Sequence, residues 1–140
     1  ILDSQAVLIA NKAALQTKPE ALRIARLLIE YFEAHLQAKQ KLAIFANMRG
    51  DNPESIANLI FENTTISGLQ GPTISPVFVR NDNQQWFAVN IIVQKDQLYQ
   101  AINELRAIGG SGVIVMPVTY IFDEEPPRYT RLIQSLKTNA

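Results

Sequence analysis

Cysteine is absent from this chain, so neither a disulfide framework nor a thiolate nucleophile nor a thiolate-bound metal belongs to its chemistry. A single histidine, His35, leaves a histidine-based metal centre without its ligands. Neither sign of charge is in excess: 13 basic residues balance 13 acidic ones, which removes the electrostatic case for nucleic acid or an anionic membrane as partner. Long apolar runs are missing as well. The run Ala6 to Ala10, which no run in the chain exceeds, falls far short of the roughly 20 residues of a bilayer-spanning helix, and no basic flank marks it as a signal peptide. What is present is an ordered composition, 47% apolar over 140 residues, sufficient for one core domain with attachments.

The run Ala6-Val7-Leu8-Ile9-Ala10 reads as a strand covered on both faces, and such a strand needs a sheet to join. Residues 1 to 11 are therefore expected to be the last strand of a preceding domain, the chain being the C-terminal portion of a longer protein. Pro19 suits a helix's first turn, and Leu22, Ala25, Ile29, Phe32 and Leu36 continue at helical spacing as far as Ala38. His35 lies in that helix and reads as a partly exposed helix residue. Lys41 to Asn47 is a strand, and Asn52-Pro53 is a cap followed by a first-turn proline, opening a helix with Ile56, Leu59 and Ile60 inward. Thr73 to Arg80 and Gln85 to Gln94 form a hairpin around Asn81-Asp82-Asn83, whose side chains tolerate positive φ. Lys95 to Ile108 is an amphipathic helix through Leu98, Ile102 and Leu105, stopped by Gly109, with Val113 to Val115 as a last strand. Pro117 cannot donate to a ladder, so there the chain is at an edge or leaving the sheet.

Strand, helix, strand, strand, helix, strand is the ferredoxin-like βαββαβ plan: an α+β domain with a four-stranded antiparallel sheet and both helices on one face. The three parts expected are residues 1–40, a strand plus linker helix; 41–122, the ferredoxin-like domain; and 123–140, a helical extension. The strand ending at Gln94 is apolar on one face through Phe87, Val89, Ile91 and Val93 and nearly so on the other through Trp86, Ala88 and Ile92. Its open face is thus expected to be covered by neighbouring copies. The same plan carries RNA-binding modules, but the neutral charge and the lack of a basic, aromatic-rich strand motif exclude that use.

Two loops are dense in backbone donors: Gly68-Leu69-Gln70-Gly71-Pro72-Thr73 and Gly109-Gly110-Ser111-Gly112. Concavities of this kind hold a compact anion such as an amino-acid carboxylate. With Trp86-Phe87-Ala88-Val89 and Leu105-Arg106-Ala107-Ile108 before the second loop, and Val113-Ile114-Val115 and Pro117-Val118 after it, they resemble the C-terminal regulatory domain of the long form of ATP phosphoribosyltransferase. Upstream, Ala6 to Asn11 is similar to the strand that ends that family's catalytic region. Asn47-Met48-Arg49-Gly50 and the tail from Tyr120 to Tyr129 are most similar to the plant and cyanobacterial branch.

The resemblance implies what the residues alone do not. The family's enzyme joins ATP to phosphoribosyl pyrophosphate with Mg²⁺, releasing pyrophosphate, as the first step of histidine biosynthesis; its C-terminal domain binds L-histidine, imposes feedback inhibition and associates in a hexamer. The implied location is the cytoplasm, or the plastid if the source is a plant. The chain holds no glycine-cradled phosphoribosyl loop. Glu62-Asn63-Thr64-Thr65 is similar only superficially, so no catalytic residue and no transferase activity are expected in these 140 residues. By position in the motifs, histidine would meet Asp51, Leu69, Gly71, Thr73, Gly110, Ser111 and Gly112, with Asp51 as the anion, Thr73 and the glycine-rich amides as donors, and Leu69 as a wall. Some long-form members carry serine at Gly71 and alanine at Gly112. Neither a metal nor a cofactor is expected in this chain, and neither nucleic acid nor membrane as a partner.

Read from the residues alone, other meanings stay open. Asp51 serves equally to favour the positive end of the following helix, Gly109-Gly110 to stop a helix, and Asp123-Glu124-Glu125 to form a solvated turn. An amino-acid sensor of another enzyme and a purely oligomerising domain of the same fold remain as alternatives.

Overall fold

The computed structural model describes residues 6–66, 68–80 and 83–138, and the chain divides into two units. Ala38–Thr119 forms one. The segments up to Gln37 and from Tyr120 onward form the other.

The first unit is a sheet of β1 (Lys41–Arg49), β2 (Thr73–Val77), β3 (Trp86–Gln94) and β4 (Ser111–Pro117) in the order β2-β3-β1-β4, antiparallel throughout. The connections are α3 (Pro53–Asn63) and, after a 3-10 turn at Lys95–Gln97, α4 (Leu98–Ala107). This is the ferredoxin-like plan. Alternation along β3 sends Phe87, Val89, Ile91 and Val93 to the helical face, where they meet Ile44, Ala46 and Met48 of β1 and Ile56, Ile60, Ala101 and Leu105 of the helices. Trp86, Ala88, Asn90 and Ile92 are half-buried on the other face, with the Arg49 guanidinium stacked 4.5 Å above the Trp86 ring.

Local chemistry sets the element ends. The Asn52 side chain accepts from the Ser55 N–H at 2.8 Å and the Ser55 hydroxyl faces the Asn52 N–H, a closed capping box with Pro53 at the first helical position. At the far end of α4, Gly109 at φ +94° lets its N–H reach the Arg106 carbonyl and the Gly110 N–H the Leu105 carbonyl, a Schellman stop. Asn81 and Asp82 of the expected hairpin turn lie outside the described residues. β2 is shorter than the strand expected to Arg80: Val77 pairs with Trp86, the first residue of β3, so Phe78 has no ladder to join and is 97% exposed. β2 and β4 are the sheet's edges. β2 contains Pro76, whereas β4 carries no charged residue and leaves Ile114, Val115 and Met116 exposed.

The second unit holds α1 (Lys12–Thr17), α2 (Pro19–Ala38) and α5 (Pro127–Thr138). The Gln16 amide donates to the Leu136 carbonyl at 3.2 Å, the Ile121 N–H to the Ala34 carbonyl at 3.0 Å, and Tyr31 meets Tyr120 and Phe122 edge-on. The strand expected over residues 1 to 11 is not formed over its described part. Residues 6–10 carry no regular secondary structure and are exposed, because no other segment of the described chain offers them a ladder, and residues 1–5 lie outside the description. His35 is exposed on α2 with its ring 6.0 Å from that of Tyr120.

Candidate functional site

The capping box changes the meaning of Asp51. Because Asn52 and Ser55 already satisfy the first turn of α3, the Asp51 carboxylate is not needed there, and among the described residues it forms no hydrogen bond or ion pair. It is exposed at the end of β1, on an open cavity of about 600 Å³ lined also by Arg49, Asn83 and Gln85. An aspartate and an arginine beside one cavity offer opposite charges to the two ends of a zwitterion.

The glycine-rich turn lies at the same end of the sheet, since Ser111 pairs with Asn47. The Ser111 hydroxyl donates to the Asn47 carbonyl at 3.2 Å, and the Gly112 backbone, at φ +59°, passes close to the Asn47 amide. The Gly110 amide is not a free donor, contrary to the sequence expectation. It is bonded to the Leu105 carbonyl at 2.8 Å, and a Cβ there would stand 2.6 Å from that oxygen. Gly110 is required by the helix stop, which leaves Ser111 and Gly112 to face a ligand.

Leu69, Gly71 and Thr73 are elsewhere. Thr73 opens β2 opposite Asn90, at mid-sheet on the face without helices. Leu69 walls a separate cavity of about 180 Å³ at the end where β1 begins, beside Lys41. β1 is nine residues long, so Asp51 and Leu69 are separated by about 25 to 30 Å along the strand direction. Thr73 and Ser111 lie on opposite edge strands, about 14 Å apart across three strand spacings. Within one copy Asp51, Ser111 and Gly112 thus share one end of the sheet, while Leu69 lies toward the other end and Thr73 on the opposite edge strand.

A polar cluster escaped the sequence reading. Thr65 donates to Glu104 through its N–H at 2.8 Å and its hydroxyl at 3.0 Å, and the Gln100 amide donates to Glu104 at 2.8 Å. The Gln100 amide contributes most to holding the Glu104 carboxyl below the usual carboxylate range; burial, next in size, opposes it, and the two Thr65 donors add to the lowering. Thr65 and Glu104 are 39 residues apart, so no local signal joins them. The acidic run Asp123-Glu124-Glu125 is an exposed bend in which Asp123 accepts from Gln37. Among the described residues no group of three His, Cys, Asp or Glu side chains is placed to hold a metal ion, and no helix is long and apolar enough to cross a membrane.

Residues 38–120 match the family described as HisG, C-terminal domain. ATP phosphoribosyltransferase 2, chloroplastic, of Arabidopsis thaliana is 45% identical over 97% of this chain and 34% of its own length. ATP phosphoribosyltransferase 1, chloroplastic, of the same plant is 42% identical over the same shares, and the ATP phosphoribosyltransferase of Methanocaldococcus jannaschii is 31% identical over 86% of this chain and 38% of its own. The chain therefore spans about a third of the length of the curated relatives it matches. A crystal structure of Arabidopsis thaliana PII bound to citrate aligns with 57% of this chain and 76% of its own, at a TM-score of 0.42 and 23% identity.

Proposed function

The chain belongs to the HisG C-terminal domain family, and from that premise we propose that it is the regulatory part of an ATP phosphoribosyltransferase, binding L-histidine and transmitting feedback inhibition without itself catalysing the transfer. The observation that carries this reading is the uncommitted Asp51 carboxylate at the end of the sheet where the Ser111-Gly112 backbone also lies. It offers an anion for the ligand's cationic group and backbone donors for its carboxylate. Two or three charge-assisted hydrogen bonds of about 1.5 to 3 kcal/mol each cover the roughly −6 kcal/mol that a sensor of tens of micromolar needs.

Asp51 and Leu69 are too far apart to touch one amino acid, so a site that uses the whole motif set needs a second copy. The chain favours such pairing. β4 is an uncharged edge strand with Ile114 and Met116 exposed, and the half-buried face of Trp86, Ala88 and Ile92 adjoins it across β1. A ligand held between copies binds one arrangement of the assembly better than another, and inhibition needs that difference. Among the described residues no group of His, Asp or Glu side chains is placed to hold the magnesium of the transfer reaction, and no step of this reading runs through it. The location is the cytoplasm, or the plastid as for the Arabidopsis relatives.

Calorimetric titration with L-histidine, with leucine as control, tests the reading. Saturable binding selective for histidine is expected, weakened at least tenfold by Asp51→Ala. A folded, self-associated sample that ignores histidine would leave the apolar edge as the evidence for a purely oligomerising domain.

A further inference from the structure

The 180 Å³ cavity at the opposite end of the sheet from Asp51 follows from the strand register. Lys41, the first residue of β1, pairs with Gln94, the last of β3. The Lys95 N–H donates to the Gln40 carbonyl at 2.8 Å, and the chain turns at once through Lys95–Gln97 into α4. Lys41, Gln94 and Gln97 are thereby gathered round one opening, with Ile66, Val93 and Ala101 as its apolar lining.

Two other polar groups of the wall are committed, since Thr65 and Gln100 both donate to Glu104. They fix the wall and leave it. Lys41 differs. It is half-buried, and among the described residues its ammonium has neither an ion pair nor a hydrogen bond. The Gln94 and Gln97 carboxamides are likewise uncommitted. An ammonium at the mouth of a cavity with no anion beside it is free to make a charge-assisted hydrogen bond to an anionic occupant. With a single cation in the lining, the occupant carries one negative charge. The volume is below the roughly 300 to 1,000 Å³ of pockets for drug-sized ligands, so that occupant is small. The apolar lining asks for carbon, which bare phosphate does not supply.

We propose that this cavity binds a small organic monocarboxylate, its carboxylate paired with Lys41 and flanked by the Gln94 and Gln97 amides, its short apolar body on Ile66, Val93 and Ala101. The cavity shares Leu69 with the residues that the family resemblance gives to histidine, but not Asp51, and its claim on an anion rests on Lys41, which that set does not include.

Titration of the ¹⁵N-labelled chain with butanoate, followed by amide chemical shifts, tests it, with inorganic phosphate and histidine as comparators. Saturable shifts at Ile66, Leu69, Gln97 and Gln100 are expected, weakened at least tenfold by Lys41→Met. Gln97→Trp, a change at an exposed position that narrows the opening, should abolish them, with the shifts of β1 and β3 reporting that both variants keep their fold. The proposal fails if butanoate gives no saturable response, if Lys41→Met binds as the parent does, or if phosphate matches butanoate. It fails equally if histidine displaces butanoate, since the cavity would then belong to the histidine site.

Discussion

Residues 38–119 and the helical segments that flank them in sequence use the same kinds of apolar residue to different ends. In the sheet unit, Ile44, Met48, Ile56, Ile60, Val89, Ile91 and Leu105 are each less than 2% exposed. Among the described residues of the helical unit only Leu15, Ala34 and Pro126 are buried, while Leu27, Tyr31, Phe32 and Leu36 of α2 are roughly half exposed. A sheet with two helices on one face closes a core by itself. Two further helices, one of them six residues long, do not enclose a 20-residue helix that is apolar on more than one side. The sheet unit thus contains the partners its sequence calls for, and α2 presents apolar surface that nothing in its own unit covers.

Truncation in the two units breaks or sharpens this contrast. Leu105→Ala should cost about 2 to 5 kcal/mol in urea denaturation, as a fully buried leucine does, while Phe32→Ala should change stability by no more than about 0.5 kcal/mol. Equal costs would abolish the distinction. A smaller effect is expected at the α3 cap, where Asn52→Ala should lose about 1 kcal/mol and Asp51→Ala should leave the cap intact; the pair separates local helix stability from ligand binding. The smallest effect concerns the loop that α4 anchors. Glu104 has a depressed folded value, so its stabilising contribution is complete above its unfolded value, near pH 4.3, and is lost as pH falls through the lower folded one. Hydrogen exchange at the Thr65 amide should quicken only in that acid window, and Glu104→Gln should flatten the profile.

The fold was largely legible because each element carries its own signal: Pro19 and Pro53 at helix starts, Gly109 at a stop, and alternation along β3. The misses share one cause. Ala6 to Ala10 has the pattern of a buried strand, but a strand is defined by its partner, and the sequence of the strand does not contain it. The motif residues for histidine were legible by resemblance, yet their separation was not. Only the register, which pairs Asn47 with Ser111 and Asn90 with Thr73, shows that Ser111 and Thr73 sit on opposite edge strands of one sheet. Gly110 was misread as a donor because a glycine-rich turn has the same composition whether its amides close a helix or face a ligand. Lys41, Gln94 and Gln97 were missed because a register, not a spacing, brings them together.

Pro76 has a consequence for growth. Two rims that were equally receptive would let copies add head to tail without limit, each newcomer offering a fresh end and the product being a fibre. β2 is five residues long with one donor deleted by Pro76, so it is a poor template for the long, uncharged β4 of another molecule. Like-with-like joining at β4 uses up both good rims and stops. Pro76 in that short strand thus removes the second receptive rim that open-ended growth would require.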